Sequence, residues 1–100
     1  METGSAILFA GPHASAALHS VNHGAGRRLS RSRALRELSQ KDTDLRMARL
    51  GVLLNTRLTP LDESGPCYKD LDEVLASVEE AGLARVDRRL TPVACIKGND

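Results

Sequence analysis

The apolar residues of this chain fall into short blocks whose period changes several times. Ala6-Ile7-Leu8-Phe9-Ala10 is a continuous apolar run closed by Gly11-Pro12, the pattern of a buried strand. Ala and Leu dominate residues 13–19, which predicts a short helix there. Asn22 to Gly26 is too glycine-rich for a helix interior. From Arg27 the pattern turns helical, with Leu29, Leu35 and Leu38 roughly on one side. A further helix is predicted over Thr43–Leu50, capped by Asp42 or Thr43 and stopped by Gly51. Val52-Leu53-Leu54 reads as strand, and Thr59–Pro66 as a loop.

The clearest element is a helix from about Leu71 to Ala81. Leu71, Val74, Leu75 and Val78 make one apolar stripe at i, i+3, i+4 and i+7. Asp70 stands at the N-cap with Glu73 three residues on, an acidic variant of the capping box, and Gly82 stops the helix. Two extended segments follow, Leu83–Arg89 and Pro92–Lys97. The order β-α-α-α-β-α-β-β predicts an α+β fold of short strands with three or four helices, not regular βαβ units.

Composition changes this picture in one respect. One hundred residues suffice for one small domain or a piece of a larger one. Hydrophobic residues are 41% but aromatics only 2%, a single Tyr and a single Phe with no Trp. A core of Leu, Val and Ala is modest, which suggests that the chain leans on something else. The net charge of +1 excludes a global basic field. Charge is uneven, however. Arg27, Arg28, Arg31, Arg33 and Arg36 precede the first nearby acid, Glu37, whereas Asp70, Asp72, Glu73, Glu79 and Glu80 collect later. As a plain feature, the arginine run is a solvated helix face. Cys67 and Cys95 lack CxxC spacing, and nothing resembles a signal peptide or membrane span. These features predict a cytoplasmic protein with two free thiols, a disulfide being the other reading.

Candidate chemistry concentrates in His23-Gly24-Ala25-Gly26-Arg27. Small residues let backbone N–H groups approach a bulky anion. The imidazole is a candidate base, metal ligand or nucleophile, and Arg27 offers a fork of donors for phosphate oxygens. Arg31 lies four residues after Arg27, so a helix beginning at this loop would keep both arginines on the side of His23. A zinc reading also exists. His19 and His23 are four apart, and Cys67 or Cys95 would complete the set, although the glycines disfavour a helix there.

HGAGR is accompanied by other motifs in a fixed order: SVNHGAGR at 20–27, SR at 30–31, YKDLDEV at 68–74 and LTPVACIKG at 90–98. Together they resemble the C-terminal part of the RtcB-type RNA ligases, over nearly the whole chain. The resemblance implies joining of RNA 3′-phosphate or 2′,3′-cyclic phosphate ends to 5′-hydroxyl ends, as in tRNA splicing and RNA repair, with GTP and Mn2+. It implies that His23 takes the guanylate, that Gly24, Ala25 and Gly26 lie against it, that Tyr68 borders the nucleotide pocket and that Lys97 contacts the guanine. Arg27 and Arg31 are then candidates for the RNA 3′-phosphate or the triphosphate.

The chain departs from the family pattern in several ways. The family's manganese ligands, a Cys, an Asp and several His, precede this region, so no metal ligand is expected here. The family's nucleotide-holding Ser falls on Ala6, with Ser5 one residue off register, and the stretch from Gly11 to His23 is slightly short. Asn99 and Asp100 extend past the closing IKG. The expectation is therefore a C-terminal portion of the ligase, with an acceptor loop at 22–27 and a helix and strands over 69–98. Its partners would be RNA (tRNA halves or broken ends), GTP and the missing N-terminal portion, with no membrane. The alternatives are a non-catalytic paralogue that holds RNA or another polyanion, and a remnant that folds only with the missing portion.

Overall fold

The predicted first strand forms and finds its partner at the far end of the chain. In the computed structural model, which describes residues 1–98, β1 (Ser5–Ala10) pairs antiparallel with β3 (Ala84–Leu90). Ser5 faces Leu90 and Ala10 faces Ala84. The register shifts between Ile7 and Leu8, which leaves Asp87 unmatched as a bulge. One face of the pair, with Ala6, Leu8 and Val86, is half-buried; Ile7 and Phe9 look outward.

Helix α3 (Leu71–Glu80) packs on β3 through its predicted stripe, burying Leu75 and Val78 beside Ala84. Asp70 caps it, accepting from the N–H groups of Asp72 at 2.8 Å and Glu73 at 3.4 Å. Gly82 turns the chain at φ +70. Its carbonyl accepts from His13 N–H at 2.9 Å, while Leu83 C=O accepts from Gly11 N–H at 3.0 Å. The two backbones meet so closely that a Cβ on Gly11 would overlap the Gly82 carbonyl oxygen. Glycine at 11 is therefore a packing requirement.

Two shorter helices form a second cluster. Helix α1 (Arg31–Glu37) starts at Ser30, whose hydroxyl accepts from Arg33 N–H at 3.1 Å. Helix α2 (Gln40–Leu50) starts at Ser39, which accepts from Asp42 N–H at 3.2 Å, and ends at Gly51 with φ +71. Ala34, Thr43, Met47, Val52, Thr59, Ser64 and Cys67 are buried. The predicted loop 59–66 contains a single 3-10 turn, Leu61–Glu63, on which α1 packs, and a second, Gly65–Cys67, runs one residue past its end. Asp44 ties this segment to α2 by accepting from Thr59 N–H at 2.9 Å and Gln40 at 3.0 Å. The nearly buried Glu2 does so from the other side, accepting from Gly65 N–H at 2.8 Å and pairing with Arg46 at 2.9 Å. Strand β2 (Leu53–Leu54) pairs in parallel with β4 (Ala94–Cys95).

The fold class is as the pattern indicated: α and β mixed, with three α-helices and small sheets of short strands. Four local expectations are corrected. Residues 13–19 make only a 3-10 turn, Ala14–Ala17, because Leu18 and His19 both take φ +55 and cannot continue a helix. Helix α1 begins at Arg31 and not at Arg27, since the backbone around Arg27 bonds to residues 67–69 instead. Ser39 caps α2 in place of Asp42 or Thr43, which lie within its first turn. The Pro92–Lys97 segment narrows to a two-residue strand. Asn99 and Asp100 lie outside the described residues.

The radius of gyration is 15.4 Å, against about 13 Å for a compact chain of this length. Leu18, Leu53, Val93 and Ile96 are each more than two-thirds exposed. Both sheets have only two strands. Elongation, exposed apolar side chains and open strand edges describe a fold that does not close on its own core.

Candidate functional site

The glycine loop is held by main-chain bonds to a segment far along the sequence. Lys69 N–H donates to Gly26 C=O at 2.9 Å, and Arg28 and Leu29 N–H donate to Cys67 C=O at 2.7 and 3.1 Å. Arg27 and Tyr68 face each other as an antiparallel bridge. Gly26 takes φ +84, which turns the loop into this pairing. Asn22 closes the loop's other side by donating from Nδ2 to Gly24 C=O at 2.8 Å.

The arrangement leaves an open cavity of about 240 Å³. His23, Gly24 and Ala25 line one side, Tyr68 and Leu71 another, and Thr3 to Ala6 the entry to β1. His23 is exposed at the wall. An adjoining cleft of about 330 Å³ shares Thr3, Tyr68 and Leu71 with it and continues past Lys69, Asp70 and Arg89. Glycine and alanine at the wall leave room for a bulky group beside the imidazole. Ser5 and Ala6 both line the cavity, so a hydroxyl is present although it is one residue off the expected register.

Tyr68 anchors a polar cluster. The Arg27 guanidinium sits 5.0 Å above its ring centroid, donates from Nη1 to the phenol at 3.2 Å and from Nε to Leu29 C=O at 3.0 Å. Its Nη2 is buried and has no hydrogen-bond partner among the described residues. The phenol donates to Glu63 Oε2 at 2.8 Å. Arg31 Nη1 lies 2.8 Å from both Glu63 Oε1 and Asp62 Oδ2, and Lys97 Nζ lies 3.8 Å from Glu63 Oε2. Asn55 fixes the Lys97 backbone twice, accepting from its N–H at 2.7 Å and donating to its C=O at 2.9 Å.

The electrostatics follow from this geometry. Arg31, above all, holds the Glu63 carboxyl below the usual range, with the Tyr68 bond and Lys97 adding to it against a burial cost. Burial raises the Tyr68 phenol first, and the bond to ionised Glu63 raises it further. Arg31 is raised by its bonds to Glu63 and Asp62.

The expected site residues thus divide. His23, Gly24, Ala25 and Tyr68 meet at the cavity. Gly26 and Arg27 lie beside it through the pairing with Tyr68 and Lys69. Arg31 and Lys97 do not line it; they join through Glu63. The arginines are not aligned with His23 by a helix, because α1 begins only at Arg31. Sequence reasoning missed Glu63, Asp62 and Asn55, which stand in irregular segments with no period or motif to mark them. His19 lines a different groove, with Phe9 and Leu83. Cys67 is buried against Leu61 C=O at 3.1 Å, and both cysteines are free. Among the described residues no group of three or more His, Cys, Asp or Glu side chains could hold a metal. Neither zinc nor manganese therefore fits these residues alone. No described helix is long and apolar enough to cross a membrane.

Comparison with known proteins adds a family to this geometry. The family model described as tRNA-splicing ligase RtcB matches residues 1–98. An RNA-splicing ligase RtcB of Mycobacterium tuberculosis is 39% identical over 100 residues, covering 98% of this chain and 23% of the relative. A tRNA-splicing ligase RtcB of Methanopyrus kandleri is 39% identical, covering 98% of this chain and 10% of the relative. One of Nanoarchaeum equitans is 36% identical, covering 98% and 21%. The chain spans less than a quarter of the length of these curated relatives.

Proposed function

The chain belongs to the tRNA-splicing ligase RtcB family, and from that premise we propose that it is the guanylate-accepting, C-terminal portion of a GTP- and manganese-dependent RNA ligase. The ligase joins RNA 3′-phosphate or 2′,3′-cyclic phosphate ends to 5′-hydroxyl ends, and acts in the cytoplasm. The observation that carries the reading is the meeting of His23 and Tyr68 across one cavity whose wall is Gly24 and Ala25. Residues 22–27 are then the acceptor loop, and 69–98 the helix and strands behind it.

In this reading a neutral His23 nitrogen attacks the α-phosphorus of GTP. The new N–P bond forms as the bond to pyrophosphate breaks, and the guanylate passes onward to the RNA 3′-phosphate. The RNA 5′-hydroxyl then displaces GMP. Gly24, Ala25 and Gly26 let the nucleotide approach the backbone, and Tyr68 borders it. Arg27 keeps a buried Nη2 without an acceptor among the described residues, and a phosphate oxygen would supply one. Arg31 reaches a phosphate only by sharing its guanidinium with Asp62 and Glu63. Lys97, held beside Glu63, is the residue assigned to the guanine. The described residues offer manganese no ligand set, and in this reading the preceding portion would supply it.

Combining the chain with the preceding portion of a family member, GTP and Mn2+ tests this reading. RNA ends are expected to join, and His23→Ala to abolish joining. Joining that survives His23→Ala refutes the assignment. A second reading, a chain that holds RNA without chemistry, draws on Arg28 and Arg36, which are exposed and form no salt bridge among the described residues. It predicts RNA binding that falls steeply with salt and is indifferent to His23→Ala.

A further inference from the structure

Glu63 carries no motif, yet three of the residues named for the site converge on its carboxylate. Oε2 accepts from the Tyr68 phenol at 2.8 Å and lies 3.8 Å from Lys97 Nζ. Oε1 accepts from Arg31 at 2.8 Å. Arg27 joins through Tyr68, from above the ring and from its hydroxyl. The carboxylate is only a quarter exposed and stands on the single turn Leu61–Glu63, which α1 covers. Arg31, Lys97 and, beyond the phenol, Arg27 face it, and the neighbouring Asp62 carboxylate shares Arg31 with it. Such a charge is retained in place by its partners.

We propose that Glu63 is the positioning residue of the nucleotide cavity, fixing the Tyr68 ring opposite His23 and holding Lys97 and Arg31 together behind that ring. It touches no nucleotide and acts through these three side chains. This inference rests on the reading of the cavity as a guanylate site. The phenol of a free Tyr68 could rotate with its ring; bonded to Glu63 and covered by Arg27, the ring offers one fixed face. The same carboxylate neutralises part of the positive charge, so Arg31 and Lys97 are held close without repelling each other.

Tyr68 is the only tyrosine and the chain has no tryptophan, so its ultraviolet signal reports this contact alone. The test follows phenolate absorbance against pH in the chain, and GMP binding by calorimetry in the chain combined with the preceding portion of a family member. Glu63→Gln is expected to lower the phenol's ionisation toward the ordinary tyrosine range. It is also expected to weaken GMP roughly tenfold, the worth of one charge-assisted hydrogen bond. Asp62→Asn removes a carboxylate from the same arginine without touching Tyr68, and is expected to leave the phenol's titration unchanged. A purely structural role for the turn would move both variants alike, and that result overturns the proposal. So does a titration unchanged in Glu63→Gln, or GMP affinity equal to the unaltered chain. If Glu63→Gln loses its helical circular dichroism, Tyr68→Phe carries the test: it deletes only the hydroxyl and should weaken GMP equally, and unchanged affinity overturns the proposal. Failure of the unaltered chain to bind GMP when combined with that portion refutes the guanylate reading, and Glu63's part in it, even with the Glu63–Tyr68 titration linkage intact.

Discussion

Carboxylates do much of the organising work in this chain, and Glu63 and Asp44 carry a pH signature. Glu63 is held below the usual carboxylate range chiefly by Arg31, and Asp44 by its hydrogen bonds from Thr59. A carboxyl depressed in the folded state binds fewer protons there than in the unfolded chain. Its stabilisation is complete above the unfolded value, and is lost as pH falls through the folded one. Urea midpoints are therefore expected to fall as pH drops through and below the ordinary carboxylate range. Asp44→Asn should be less stable at neutral pH and lose less on acidification; equal losses with and without Asp44 would sink this account. Gly11 makes a different residue-scale prediction. A Cβ there overlaps the Gly82 carbonyl oxygen, so Gly11→Ala should cost about 2 kcal/mol or more, read from denaturant unfolding. A near-neutral effect would mean that the β1 exit and the Gly82 turn do not approach as described.

At the scale of elements, legibility in the sequence followed the strength of local signals. Helix α3 was readable because a four-residue apolar stripe, an Asp cap and a Gly stop agree. Replacing the cap tests that agreement: Asp70→Ala should lose about 1 kcal/mol, read from the unfolding midpoint. Strand β1 was equally plain as an apolar run, but its partner β3 lies at the other end of the chain, and no pattern announces the bulge at Asp87. The start of α1 was misjudged because leucine spacing extends a helical pattern back to Arg27, where main-chain bonding to Cys67 and Lys69 prevails. The glycine loop could be located as chemistry from its residues. The polar cluster could not, since Glu63 and Asn55 act from irregular segments by tertiary contact alone.

At the scale of the whole molecule, the site sits in a fold that leaves apolar surface open. Leu18, Leu53, Val93 and Ile96 are largely solvent-exposed, both sheets have two strands, and the curated relatives are more than four times as long. The isolated chain is expected to melt broadly and to bind a hydrophobic dye; adding the complementary portion of a family member should sharpen the melt and displace the dye. A sharp two-state melt of the chain alone, with no dye bound, would contradict this. The chemistry proposed for the molecule resides in His23. Its most direct test is incubation of the chain and the complementary portion with α-labelled GTP and Mn2+, followed by peptide mapping. The account predicts an acid-labile guanylate on the peptide containing His23, absent from His23→Ala. No label on this chain, or label that persists in His23→Ala, would contradict it.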